Sequence, residues 1–149
     1  MKKFDFLPFV TAIALAACNH PSASPIKSST KENEAIVRAT FDAFNQHDWK
    51  KMSGYYAEPA EFLDPEYGTE YVKKTQKDLA VNYANLEKFS PDVKDSLITV
   101  IATGDKVAVE FISTGTTADK KAWKLPISAV LTLKEGKIVK DATYYDLEK

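Results

Sequence analysis

The stretch Trp123-Lys124-Leu125-Pro126-Ile127-Ser128-Ala129-Val130-Leu131-Thr132-Leu133 decides the fold. Apolar side chains occupy every second position of it, which is the period of a strand with one buried face. The next residues, Lys134-Glu135-Gly136-Lys137, are typical of a tight turn, and a further strand is expected over Ile138–Asp146. The stretch therefore predicts a long strand paired with the last strand of the chain.

Two more strands are expected before it. The first covers Leu97–Ala102, and Thr103-Gly104-Asp105 is a hairpin signal. The second carries Val107, Val109 and Phe111 in alternation and ends in a loop over 115–121. The second half of the chain is thus predicted to be an antiparallel meander.

Helical signals precede the meander. Ser29 and Glu32 form a capping box, followed by apolar residues at helical spacing up to Phe44. Asp48 is expected to cap a short second helix, which carries Trp49 to Tyr56 and ends at Pro59.

A third helix is expected after a brief strand over Ala60–Asp64 and a turn over Pro65–Gly68. Its predicted cap is Thr69, and its inner face carries apolar residues from Tyr71 to Leu86. Helices followed by a meander predict an α+β domain, with the helices packed on one face of a curved antiparallel sheet.

The first eighteen residues have a different character. Lys2 and Lys3 precede the apolar segment Phe6–Ala17, which is too short to span a bilayer but suits a signal peptide. Leu15-Ala16-Ala17-Cys18 resembles a bacterial lipobox, in which the cysteine accepts the lipid. The alternative is that Cys18 is a buried core thiol of an amphipathic helix.

These features divide the chain into three parts. Residues 1–17 are predicted to be a lipoprotein signal peptide, 18–30 the lipidated Cys18 and a flexible Pro- and Ser-rich tether, and 31–149 the folded domain. The expected location is the bacterial cell envelope, anchored to its inner or outer membrane. Because Cys18 is the single cysteine, an intramolecular disulfide is excluded.

Composition excludes several function classes. The formal net charge of -1 provides no field that would attract nucleic acid. A metal site is not expected, because His20 lies in the tether and His47 ends a helix. The sequence has no Gly-rich phosphate loop, no nucleophile elbow and no HExxH motif. No cofactor is predicted.

Several local patterns, in this order, resemble the NTF2-like superfamily, and within it the SnoaL-like and ketosteroid-isomerase-like branches. The resemblance covers about residues 34–146 and rests on Phe41-Asp42-Ala43-Phe44-Asn45-Gln46-His47-Asp48, Tyr56-Ala57, Phe62-Leu63-Asp64-Pro65 and Gly136-Lys137-Ile138-Val139. It implies a cone-shaped domain of three N-terminal helices on a curved antiparallel sheet, with a pocket between them. Members often form dimers through the outer sheet face, so a homodimer is expected.

The resemblance also implies roles for particular residues. Asp64 falls where the isomerase branch has its general base, and Tyr56 where it has a supporting pocket tyrosine. A carboxylate in an apolar cone has a raised pKa and can transfer a proton to or from a carbon acid. Ketosteroid isomerase is a known example of this chemistry. That branch also needs two oxyanion donors, and this sequence has Thr40 and Ala129 at those positions. Steroid isomerisation is therefore not expected.

Six residues are predicted to line the pocket. The candidate catalytic residues are Asp64 and Asp141, and the candidate ligand-binding residues are Tyr56, Phe111, Trp123 and Tyr145. Each has an alternative role. Asp64 can start the turn at Asp-Pro, Asp141 can lie at an exposed strand end, and the aromatic side chains can belong to the core.

Two functions remain open. The first is a non-catalytic envelope lipoprotein that binds a small apolar or amphiphilic molecule. The second is a cofactor-independent acid/base enzyme acting on a small carbonyl or polyketide-like substrate. Since two carboxylates in one cavity cannot both ionise at low cost, one of Asp64 and Asp141 is expected to have a pKa well above 4.

Overall fold

Three helices pack on one face of a six-stranded sheet in the computed structural model, which describes residues 29–146. The elements, in chain order, are α1 (Thr30–Asn45), α2 (Trp49–Ser53), β1 (Tyr56–Leu63), β2 (Val72–Lys74), α3 (Gln76–Phe89), β3 (Lys94–Thr103), β4 (Lys106–Thr116), β5 (Ala122–Lys134) and β6 (Lys137–Tyr144). The strand order is β2-β1-β6-β5-β4-β3. The signal peptide, Cys18 and nearly all of the tether lie outside the described residues.

The meander from β3 to β6 confirms the central prediction. Strand β5 is the longest, at 13 residues, and it pairs in antiparallel fashion with β4 on one side and β6 on the other. The alternating positions Ala129, Leu131 and Leu133 are buried. They pack with Val109 of β4 and with the buried face of α1, so the core lies between the helices and this part of the sheet.

Two predicted helix starts are also confirmed. The Ser29 backbone N–H donates to Glu32, and the Glu32 N–H donates to the Ser29 hydroxyl, which completes the capping box of α1. The Asp48 carboxylate accepts from the Lys51 N–H at 3.0 Å and caps α2. These bonds satisfy amide groups that have no partner within the helix.

The sheet is mixed, which corrects the predicted all-antiparallel arrangement. Strand β1 runs parallel to β6 and antiparallel to β2. Strand β1 starts at Tyr56, so Pro59 lies inside it and does not end a helix. The register of β1 against β6 shifts between Tyr56 and Glu61. Pro59 falls in this irregular stretch, where the missing N–H breaks no regular ladder.

The third helix starts later than predicted. Its cap is Thr75, whose hydroxyl accepts from the Asp78 N–H at 3.1 Å, and the predicted cap Thr69 is wrong. Val72 belongs to the three-residue strand β2. Since β1 and β2 precede α3, only α1 and α2 lie N-terminal to the sheet, and the picture of three N-terminal helices is wrong.

The outer face of the sheet exposes Ile98, Ile101, Val130 and Tyr144. The homodimer expected through this face stays a prediction. Within residues 29–146, no helix has both the length and the apolar character that crossing a bilayer requires.

Candidate functional site

A cavity of about 490 Å³ lies between the helices and the inner face of the sheet. Of the 23 described residues that line it, nine are aromatic and six are aliphatic or methionine, so most of its wall is apolar. Its acidic residues are Asp64, Glu66, Asp95 and Asp141. A cavity of this size, with a few polar groups in an apolar wall, has the general form of a small-molecule site.

Asp141 is the most deeply buried of the four acids, at 8% exposure. It lies on β6 opposite Leu131, on the sheet face that carries the core. Tyr56 donates to its Oδ2 at 2.9 Å, and Thr143 donates to its Oδ1 at 2.8 Å. The alternative of an exposed strand end is therefore wrong.

Burial raises the pKa of Asp141 to about 6, because the charged form loses its hydration. Hydrogen bonds from Thr143 and Tyr56 offset part of that effect, and the charge of Asp64 adds to it. A carboxyl group with a pKa near 6 can accept and release a proton near neutral pH.

Asp64 follows the last residue of β1 and is half-buried. Its Oδ1 accepts from the Glu66 N–H at 2.8 Å, which starts a single 3-10 turn over Pro65–Tyr67. The same oxygen accepts from the Tyr145 hydroxyl at 2.8 Å. Asp64 therefore starts the turn and also lines the cavity, so the two roles do not exclude each other.

The structure places all six candidate residues in the cavity wall. The four aromatic ones, Tyr56, Phe111, Trp123 and Tyr145, lie there beside Asp64 and Asp141. Phe111 also packs edge-on against Phe41 of α1, with ring centroids 4.9 Å apart. Core and cavity lining therefore merge at Phe111, and the catalytic and ligand-binding roles of the six stay predictions.

Asp95, which the sequence reasoning missed, is the third aspartate of the cavity. It lies on β3 opposite Ser113 of β4, and both side chains line the cavity. Burial raises the pKa of Asp95 to about 7, and a hydrogen bond from Ser113 offsets part of this rise. Its Oδ1 is buried and has no hydrogen-bond partner within residues 29–146. The sequence signal for Asp95 is its spacing, since it lies two residues before Leu97 on the same strand.

Besides burial, the charges of Asp141 and Asp95 both raise the pKa values of Tyr56 and Tyr83. Burial is the main reason that the pKa values of both phenols are raised, and the charges of Asp141 and Asp95 add to each. Both carboxyl groups therefore act on the same two phenols.

The two positions that correspond to oxyanion donors provide no free donor. The Thr40 hydroxyl donates to the Ile36 carbonyl of its own helix at 2.9 Å, and Ala129 has no polar side chain. That steroid isomerisation is absent stays a prediction.

No group of three or more His, Cys, Asp or Glu side chains within residues 29–146 is arranged to hold a metal ion. His47 lies outside the cavity wall, with Nε2 2.9 Å from the Val93 carbonyl oxygen and the ring stacked on Trp49.

The family model of the SnoaL-like domain matches residues 37–140. This range contains most of α1, all of α2 and α3, β1 to β5 and part of β6. A search of curated proteins found no match.

Solved structures share the fold at low sequence identity. One is a hypothetical protein with a ketosteroid isomerase-like fold from Catenulispora acidiphila, in complex with trimethylamine (18% identity, 75% of this chain and 85% of that one, TM-score 0.66). A SnoaL-like protein from Burkholderia thailandensis is also 18% identical, over 83% of this chain and 100% of that one, with a TM-score of 0.64. IdmH from Streptomyces antibioticus, a candidate polyketide cyclase, is 18% identical over 76% and 91%, with a TM-score of 0.67.

Proposed function

The chain belongs to the SnoaL-like domain family, and from this premise we propose that it binds a small amphiphilic molecule in its cavity. The single observation that carries the proposal is an apolar cavity of about 490 Å³ with carboxyl groups in its wall. An apolar wall favours an apolar ligand body, and the few polar groups orient it. A neighbour with the same fold holds trimethylamine, which supports a small ligand for this fold.

Filling the cavity is expected to weaken this binding. Ile127 is half-buried in the cavity wall, so Ile127→Trp should occupy ligand space and weaken binding of the neutral dye Nile red about tenfold or more. Ser128 is exposed on the opposite face of β5, and Ser128→Trp should leave dye affinity unchanged. Fluorescence titration measures both, and equal dye affinity of the two variants would contradict the proposal.

Acid/base catalysis is the second candidate, and one observation favours it. Asp141 has a pKa of about 6 in an apolar wall, which suits proton transfer near neutral pH. Its substrate class would be a small carbonyl compound. Binding remains the first proposal, because no free oxyanion donor lies at Thr40 or Ala129.

Carbon-detected NMR of the aspartate side chains tests this candidate. The Asp141 carboxyl is expected to titrate near 6, and Tyr56→Phe should raise its pKa further, because a donor to the charged form is lost. Tyr71 is exposed, so Tyr71→Phe is the matched control and should leave the titration unchanged. A pKa near 4 for Asp141 would end the acid/base hypothesis.

We also propose that the protein is anchored to a membrane of the bacterial cell envelope by a lipid on Cys18. The support is the sequence of the signal and of Leu15-Ala16-Ala17-Cys18. Cys18→Ser is expected to abolish lipid labelling and leave an unprocessed precursor, because serine has no thiol to accept the lipid. Metabolic labelling with a radioactive fatty acid measures this. Processing at residue 18 with retained membrane partition would refute the anchor.

A further inference from the structure

The charged groups of the cavity wall all have the same sign. Asp64, Glu66, Asp95 and Asp141 line it, and no Lys, Arg or His is among the described residues that do. Lys74 contacts the ring of Tyr67 at 4.2 Å, but it is not a lining residue. The wall therefore carries negative charge without a cation of its own.

Neutral groups satisfy these carboxyl groups only in part. Asp141 accepts from two hydroxyl groups, and Asp64 accepts from the Tyr145 hydroxyl and the Glu66 N–H. The Asp95 carboxyl has a hydrogen bond from Ser113, but its Oδ1 is buried with no partner within the described residues. Such hydrogen bonds do not cancel a charge, and a carboxylate without a counter-charge is costly in an apolar site. A positively charged ligand would supply the missing counter-charge.

The aromatic side chains indicate which kind of cation fits the cavity. The faces of aromatic rings are negative and attract a cation within about 6 Å of the ring centroid. Tyr83, Phe89 and Trp123 line the same cavity as Asp95. A metal ion is a poorer match, because the described residues contain no group of three or more His, Cys, Asp or Glu side chains placed to hold one. An ammonium group with apolar substituents matches both the rings and the carboxylates.

We propose that the cavity binds a small organic cation, an ammonium group that bears apolar substituents. This inference rests on the proposed function, since it specifies the ligand class of the same cavity. A neutral ligand would leave the carboxylates without a counter-charge, and an anion would be repelled by them.

The affinity of the cavity for a cation should depend on pH in a defined direction. A bound cation favours ionised carboxylates, so the affinity for a permanently charged ligand should rise as Asp141 and Asp95 lose their protons, at pH of about 6 and 7. Asp64 and Glu66 also face the cavity as acids. The phenols that face it stay neutral in this range, because their pKa values are raised from 10: they are Tyr56, Tyr67, Tyr83 and Tyr145.

Calorimetric titration with two probes of equal shape tests the inference. Phenyltrimethylammonium carries a permanent charge, and tert-butylbenzene is its neutral carbon isostere. At pH 8 the purified protein should bind the cation about tenfold or more tightly than the isostere, and the preference should shrink at pH 5. Because the cation has no proton to lose, any pH dependence belongs to the protein.

Matched variants assign the effect to Asp95. Asp95→Asn should weaken cation binding at pH 8 about tenfold and leave isostere binding unchanged, which also shows that the variant is folded. Asp105→Asn, in the exposed turn between β3 and β4, should change neither. Equal binding of both probes would overturn the cation inference and leave the proposed function standing. Binding of neither would also overturn it, and the Nile red experiment would then decide the proposed function separately.

Discussion

Raising the pH from 5 to 8 is expected to destabilise the folded protein by about 4 kcal/mol, and Asp95→Asn is expected to remove most of that loss. Burial raises the pKa of Asp95 from 3.8 to about 7 and that of Asp141 from 3.8 to about 6. Between these values and 3.8, the folded state keeps protons that the unfolded state has lost. Stability therefore falls as the pH rises through this window.

The two carboxyl groups contribute unequally to this loss. From pH 5, Asp95 keeps its proton over about two pH units and Asp141 over about one, so the losses are about 3 and about 1 kcal/mol. Acids with lowered pKa values act in the opposite direction, but only below about pH 4. They are Asp78, Asp92 and Asp119.

Urea unfolding at pH 5, 6, 7 and 8 measures the effect. In Asp95→Asn the loss over this range should shrink to about 1 kcal/mol, because the amide carries no charge at any of these pH values. Asp105→Asn should keep the full slope of the parent protein. Stability that stays level or increases from pH 5 to 8 would contradict the burial of two carboxyl groups without a counter-charge.

The sequence predicted those parts of the fold in which each strand has a clear period and pairs with a strand close to it in the chain. The alternation over Trp123–Leu133 and the turn at Gly136 specify a hairpin, because each strand pairs with its neighbour in the chain. The pairing of β1 with β6 joins residues about 80 positions apart, and no local pattern encodes it. Strand β2 has three residues, too few to show a period, so Tyr71 and Val72 resemble the start of the following helix.

The family resemblance and the strand period together predicted part of the site. Asp141 and Tyr145 alternate on β6 and just beyond its end, and this period places them in the cavity with Asp64. Asp95 was missed because the sequence pattern starts β3 at Leu97, whereas the strand starts at Lys94. A charged residue near a strand end resembles a loop residue. Asn45 of α1 fixes this segment, since it donates to the Asp95 carbonyl and accepts from its N–H.

Gly115 lies on β4 opposite Trp123. An added Cβ would lie 2.2 Å from the Ser90 hydroxyl oxygen and 2.8 Å from Cζ2 of the Trp123 ring. Neither neighbour can move freely. Ser90 is fully buried and donates to the Thr116 carbonyl at 3.1 Å, while the Trp123 indole N–H donates to Ser90 at 3.1 Å. The absence of a side chain at residue 115 therefore lets Trp123 form this part of the cavity wall.

Gly115→Ala is expected to destabilise the protein by about 2 to 3 kcal/mol, because the methyl group overpacks a buried contact and displaces the Trp123 hydrogen bond. Gly104→Ala has open space around its Cβ and a φ of 57°, so only backbone strain of about 1 kcal/mol is expected there. The decisive measurement is a double-mutant cycle by urea unfolding. Ser90→Ala removes the oxygen at 2.2 Å, so Gly115→Ala should cost about 1 kcal/mol less in that background. If the stability losses of Gly115→Ala and Ser90→Ala are strictly additive, the added methyl group does not clash with Ser90.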